Sequence, residues 1–106
     1  MAKTYLYRIT RDTNNEESAE YSTLQECEEE AIKKAKNECE ELSVHGVHQH
    51  RIMLFNKSDC GEYNDIGRIE LPDHDTYYNH RNALSYGKND ETVKYYQENL
   101  EIEKDD

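Results

Sequence analysis

Between Thr23 and Leu42 the apolar residues fall at Leu24, Cys27, Ala31, Ala35, Cys39 and Leu42, with Ile32 beside them, and every other position is polar or charged. Recurrence at three and four residues predicts an amphipathic helix, opened by a capping box of Thr23 and Glu26. The apolar stripe is narrow and three faces are polar, so the helix is expected to lie on a sheet rather than inside a bundle. Glu26, Glu28, Glu29 and Glu30 precede Lys33, Lys34 and Lys36. That order suits the helix dipole and offers the i,i+4 pairs Glu29–Lys33 and Glu30–Lys34.

The rest of the chain supplies strands for such a helix to cover. In Thr4–Thr10, Tyr5, Tyr7 and Ile9 share one face of a predicted strand, and Arg11–Ala19 reads as a polar loop rich in turn formers. Val47–Asn56 contains the block Ile52-Met53-Leu54-Phe55, expected as a central strand buried on nearly both faces. Lys57–Asn64 reads as a loop with Asp59, Gly61 and Asn64, and Asp65–Leu71 as a strand that Pro72 ends; the two strands should pair as an antiparallel hairpin. Thr76–Leu84 is open between a short helix and an irregular segment, while Val93, Tyr96 and Leu100 give Asp90–Leu100 a helical period.

The order strand, helix, strand, strand, helix makes one α+β domain over residues 1–106, with 1–3 and 101–106 frayed. The sheet is expected to be three-stranded and mixed, one long helix packing on one face. If the first two strands are neighbours, the helix between them is a right-handed crossover and they are parallel. The other face then needs a cover, either the tyrosine-rich tail or a second copy of the chain.

Leu, Ile, Val and Phe number 17 of 106 residues and the net charge is −11, a balance typical of disordered chains. Nine tyrosines offset it, because each buries a large ring while its hydroxyl stays wet or hydrogen-bonded. No apolar run approaches the ~20 residues of a membrane span, and the N-terminus does not read as a signal sequence. A soluble, cytoplasmic protein is expected. Cys27 and Cys39 stand about 18 Å apart along one helix and cannot bond to each other. With Cys60 they are expected as reduced thiols. The 13 basic residues are scattered, which argues against direct contact with nucleic acid or an anionic membrane and favours basic proteins as partners.

Few constellations carry chemistry. His48 and His50 share one side of the predicted strand, and with His74 as a third ligand (His80, Cys60 or an acid being others) they form a candidate metal site. The plainer alternative is a pair of partly exposed histidines at a strand entrance. Cys60, in the hairpin loop, is exposed enough to act as a nucleophile with a strand histidine, but nothing orders the base, and Asp59 beside it should raise the thiol pKa. Four glycines provide no phosphate loop, nucleophile elbow or dinucleotide fingerprint. Neither an enzyme nor a bound cofactor is expected.

The stretch Asp12–Glu30 holds eight acids and no Lys or Arg. Read plainly, it is a solvated loop and a helix N-terminus. Read more sharply, Asp12, Glu16, Glu17, Glu20 and Glu28 form an anionic surface that occupies the nucleic-acid groove of a basic protein, with Tyr77 and Tyr78 as exposed anchors. Asp59–Asp75 and the tail Glu98–Asp106 extend that surface. In style the chain is small, acidic and rich in Asn, Lys, Glu and Tyr. It is thereby similar to small phage-encoded or mobile-element proteins that inhibit host nucleases, anti-CRISPR proteins among them. The likeness is compositional, covers no motif and transfers no residue. It implies an inhibitor that mimics nucleic acid. A histidine-based metal or sensor domain and a structural or regulatory homodimer stand as the alternatives.

Overall fold

Strand alternation, the capped helix and the hairpin all form in the computed structural model, which describes residues 3–10, 15–40, 50–72, 75–79 and 89–104. In chain order the elements are β1 (Thr4–Thr10), β2 (Asn15–Glu17), α1 (Leu24–Cys39), β3 (His50–Lys57), β4 (Tyr63–Leu71), α2 (Asn89–Glu98) and β5 (Glu103–Lys104). Residues 75–79 are also helical. Thr23 caps α1, its hydroxyl accepting from the Glu26 N–H at 3.2 Å. The helix has ended by Glu40, and Leu42 lies outside the described residues. No described helix is long and apolar enough to cross a membrane.

The chain is α+β as expected, but the three-stranded mixed sheet is replaced by five strands, antiparallel at every pairing, in the order β2-β1-β3-β4-β5. The error lies in Arg11–Ala19, expected as loop. Asn15–Glu17 pairs with β1, and the chain continues back along it until Tyr21 bridges Tyr5. This return leg brings the chain to the end where β1 began. From there α1, 16 residues and about 24 Å long, carries it forward, so β3 runs back antiparallel to β1 instead of parallel. Tyr7 N–H donates to Ser18 Oγ at 2.9 Å and Ser18 N–H to Tyr7 C=O at 2.9 Å, which holds the leg in register.

Ser58 to Glu62 close the β3–β4 hairpin. Gly61 N–H donates to Ser58 C=O at 2.9 Å with Gly61 at φ 88°, a left-handed conformation that glycine adopts without a Cβ clash. A bulge follows, in which Leu54 pairs with Gly67 but Phe55 pairs with Asp65, leaving Ile66 as the extra residue. The segment expected to fray contributes β5. It comes so close that a Cβ on Gly67 would sit 3.0 Å from Glu103 O.

Register sorts the side chains between two faces. On one, Ile9, Ile52 and Ile69 are consecutive partners across β1, β3 and β4 and none is exposed. Cys27, Ala31, Ala35 and Cys39 of α1 pack on them with Leu54, Leu71 and Tyr77. The small stripe lets the helix approach closely. α2 lies beside α1, where Gln97 Nε2 donates to Lys36 O at 2.9 Å, and Val93, Tyr96 and Leu100 extend the core.

Candidate functional site

On the opposite face Glu17, Arg8, Met53, Arg68 and Glu103 stand in one row across all five strands. Arg8 reaches Glu17 at 2.7 Å and Arg68 reaches Glu103 at 3.5 Å. Nearer the hairpin the Arg8 guanidinium lies 4.9 Å from the Phe55 ring centre, Tyr63 meets Phe55 edge-on at 5.9 Å, and Lys57 lies 5.6 Å from the Tyr63 ring. Leu6 and Phe55 are buried on this face. They are sealed in part by these flat and charged groups, which suits cation–π contact.

The expected anionic surface is divided among these elements. Glu16 reaches Lys34 of α1 at 4.0 Å, Glu17 pairs with Arg8, Glu20 takes Lys57 at 3.3 Å and the Thr4 hydroxyl at 2.7 Å, and Glu28 takes Lys104 at 3.0 Å. Lys34 spans to β2 at one sheet edge while Glu28 spans to β5 at the other, so these four carboxylates do not form one continuous strip. Asp12 lies outside the described residues. Within α1, Lys33 pairs with Glu30 at 3.3 Å, in place of the expected Glu29–Lys33 and Glu30–Lys34 pairs.

Tyr77 is corrected from an exposed anchor to a core residue, only 1% exposed, because residues 75–79 turn it onto the α1 side of the sheet. Tyr78 is exposed, at 44%. The expected metal ligands His48 and His74, with His80, lie outside the described residues, as does the side chain of His50. Among the described residues no three His, Cys, Asp or Glu side chains are grouped to hold a metal ion.

Comparison with family models, curated proteins and solved structures finds no match.

The end of the sheet that carries the hairpin gathers acids from three separated segments. Tyr5 bridges Tyr21 and Thr4 pairs with Lys57, which in turn pairs with Tyr63. The start of β1, the chain entering α1 and the β3–β4 turn therefore meet there. With them come Glu20, Asp59, Glu62 and Asp65, while Glu26, at the start of α1, lies near Tyr21. Tyr63, 40% exposed, has Lys57 and Arg8 at 5.6 and 6.0 Å from its ring, and the Glu20 carboxylate beside Lys57 holds the ammonium above its ordinary pKa. Glu20 is held below the usual carboxylate range by the Thr4 hydroxyl and by Lys57. Asp59 and Glu62 were visible in the sequence only as part of a broad acidic zone; their placement at the same end of the sheet as Glu20 depends on the unforeseen return leg.

The three thiols divide as their burial dictates. Cys27 and Cys39 are buried and pushed up to about 11, mainly by burial, whereas Cys60 is exposed. Contrary to the expectation from Asp59, the Cys60 thiol is lowered by its hydrogen bond with Ser58 Oγ at 3.1 Å and by the Glu62 backbone.

Proposed function

We propose that this chain is a non-enzymatic binding protein that inhibits or regulates a nucleic-acid-handling protein by occupying its basic groove. The observation that carries this reading is the hairpin end of the sheet, to which the pairing of β1, β3 and β4 brings Glu20 of the return leg, Asp59 and Glu62 of the turn and Asp65 of β4. A net charge of −11 adds long-range attraction to the same kind of partner. Carboxylates on a strand end, the return leg and a tight turn are held by backbone structure. They therefore meet a row of Lys and Arg with little ordering cost.

Glu16, Glu17, Glu20 and Glu28 each have an internal cation, so reversing them disturbs the fold's own pairs. Asp59 and Glu62, in the exposed turn, make the cleaner test. The tagged protein is used to capture partners from nuclease-treated lysate, with elution by rising salt and identification by mass spectrometry. A basic nucleic-acid-binding protein is expected in the salt fractions. It should compete with DNA or RNA and be lost from the double variant Asp59→Lys/Glu62→Lys. Capture of that protein unchanged by the double reversal, or recovery of nothing but the chain itself, overturns the reading.

A further inference from the structure

Among the described residues β5 pairs with β4 at Gly67 and Arg68 alone. Beyond that point the chain from Asn99 to Ile102 leaves the β4 edge. A cavity of about 420 Å³ opens between that segment, Glu70–Pro72 and the end of α2, a volume within the range of small-ligand sites.

Its wall has a consistent polarity. Among the described residues Glu70, Glu101 and Glu103 line it, and no Lys or Arg does. α2 meets it with its carbonyl end, through Tyr95, Tyr96 and Asn99, and has no basic residue in its last turn. Asn99 caps that end, its N–H and Nδ2 donating to the Tyr95 carbonyl at 3.1 and 2.8 Å. Tyr95 and Tyr96 stand edge to face with centres 5.5 Å apart, and Tyr95 is 44% exposed. Behind the wall, Arg51 and Arg68 approach Glu70 at 3.7 and 3.6 Å, and Arg68 approaches Glu103. These pairs orient two of the carboxylates; Glu101 takes part in none of them.

The Glu101 carboxylate beside a tyrosine pair selects a cation, and Glu70 and Glu103, each already facing an arginine, complete the wall around it. A guanidinium fits this set better than an ammonium, because it stacks on a tyrosine face while its forked donors meet a carboxylate, and because it is more weakly hydrated. We propose that this cavity receives the guanidinium group of an arginine side chain on the basic partner. The proposal rests on the partner class argued above. It lies at the opposite end of β4 from Asp59 and Glu62, so the two fail separately.

The test titrates the full chain with N-acetyl-arginine methylamide and follows backbone amide shifts by NMR. Saturable shifts are expected at Tyr95, Asn99, Glu101 and Glu103, with a Kd on the order of 1 mM. The corresponding lysine derivative should bind several-fold more weakly and the glutamine derivative not at all. Tyr95→Ala and the isosteric Glu101→Gln should each weaken binding roughly fivefold, Glu101→Gln without moving the melting temperature, and Tyr95→Ala should also reduce retention of the captured partner. Shifts that do not saturate, that persist unchanged in both variants, or that the glutamine derivative reproduces overturn the cavity. Saturation by the arginine derivative with no basic protein captured upholds the guanidinium site and overturns its assignment to a partner.

Discussion

On the face covered by α1, Ile9, Ile52 and Ile69 stand side by side with no exposed surface, whereas on the other face the same three strands present Arg8, Met53 and Arg68. The covered face gains from removing apolar area from water, about 25 cal/mol per Å². The open face is held by cross-strand ion pairs and cation–π contacts, and exposed pairs of this kind contribute about 0–1 kcal/mol each. Folding is decided on one face, which leaves the charged groups of the other, and of the sheet ends, free to be chosen for recognition.

Neighbours in the sequence give the sharpest test of that division. Ile52 and Met53 are adjacent in β3 and point to opposite faces. Ile52→Ala opens a cavity beneath α1 and should cost about 3–4 kcal/mol, enough to threaten a domain of this size. Met53→Ala, at the half-buried centre of the charged row, should cost about 1 kcal/mol. Urea unfolding followed by circular dichroism measures both. Equal losses would mean that the open face is itself a core, as expected if a second copy of the chain covers it.

This two-faced plan was partly legible in the sequence. The spacing of Cys27, Ala31, Ala35 and Cys39 located α1 and its buried stripe, and the alternation of β1 paired Tyr5, Tyr7 and Ile9 correctly. Both are local patterns, set by residues within a few positions of one another. The row from Glu17 to Glu103 was not legible, because it depends on the register of five strands and on a two-residue strand whose only sequence sign is the facing Gly67. β2 was hidden for a related reason: Asn15–Glu17 is exposed throughout and carries no apolar alternation. The acidic end inherits that gap, since without the return leg Glu20 cannot be brought beside Lys57.

The thiols provide the next test, because Cys27 and Cys39 report on the covered face and Cys60 lies outside it. Their pKa of about 11 stands two units above the ordinary 9.0. The folded chain therefore keeps both protons where the unfolded chain loses them. The associated stability is intact below pH 9 and is lost as pH rises to about 11, to the extent of about 3 kcal/mol per thiol. Tyr7, Tyr21 and Tyr96, raised chiefly by burial, act in the same direction above pH 10. The urea midpoint should thus fall steeply between pH 9 and 11, and the slope should flatten in Cys27→Ala/Cys39→Ala. In the native state at neutral pH an aromatic disulfide reagent should modify Cys60 quickly and the other two only upon unfolding. Three thiols reacting at one rate would show that α1 does not stay on its face.

Glu20 is expected to give the smallest stability effect and the clearest separation of folding from binding. Its depressed pKa means that the stability from its contacts with Thr4 and Lys57 is present above the ordinary 4.5 and is lost as pH falls through the folded value. The group is exposed and its ion pair is screened by salt, so Glu20→Gln should leave the melting temperature at pH 7 within error. The same substitution removes one anion from the acidic end and leaves the Lys57 ammonium without its carboxylate. A positive charge is thereby uncovered where a basic partner would dock. Retention of a captured partner should weaken accordingly, and more so at low salt than at high salt. A loss of stability comparable with that of Met53→Ala would make the Glu20–Lys57 contact structural. Unaltered retention at every salt concentration would remove this corner from the binding surface and leave Asp59 and Glu62 to carry it.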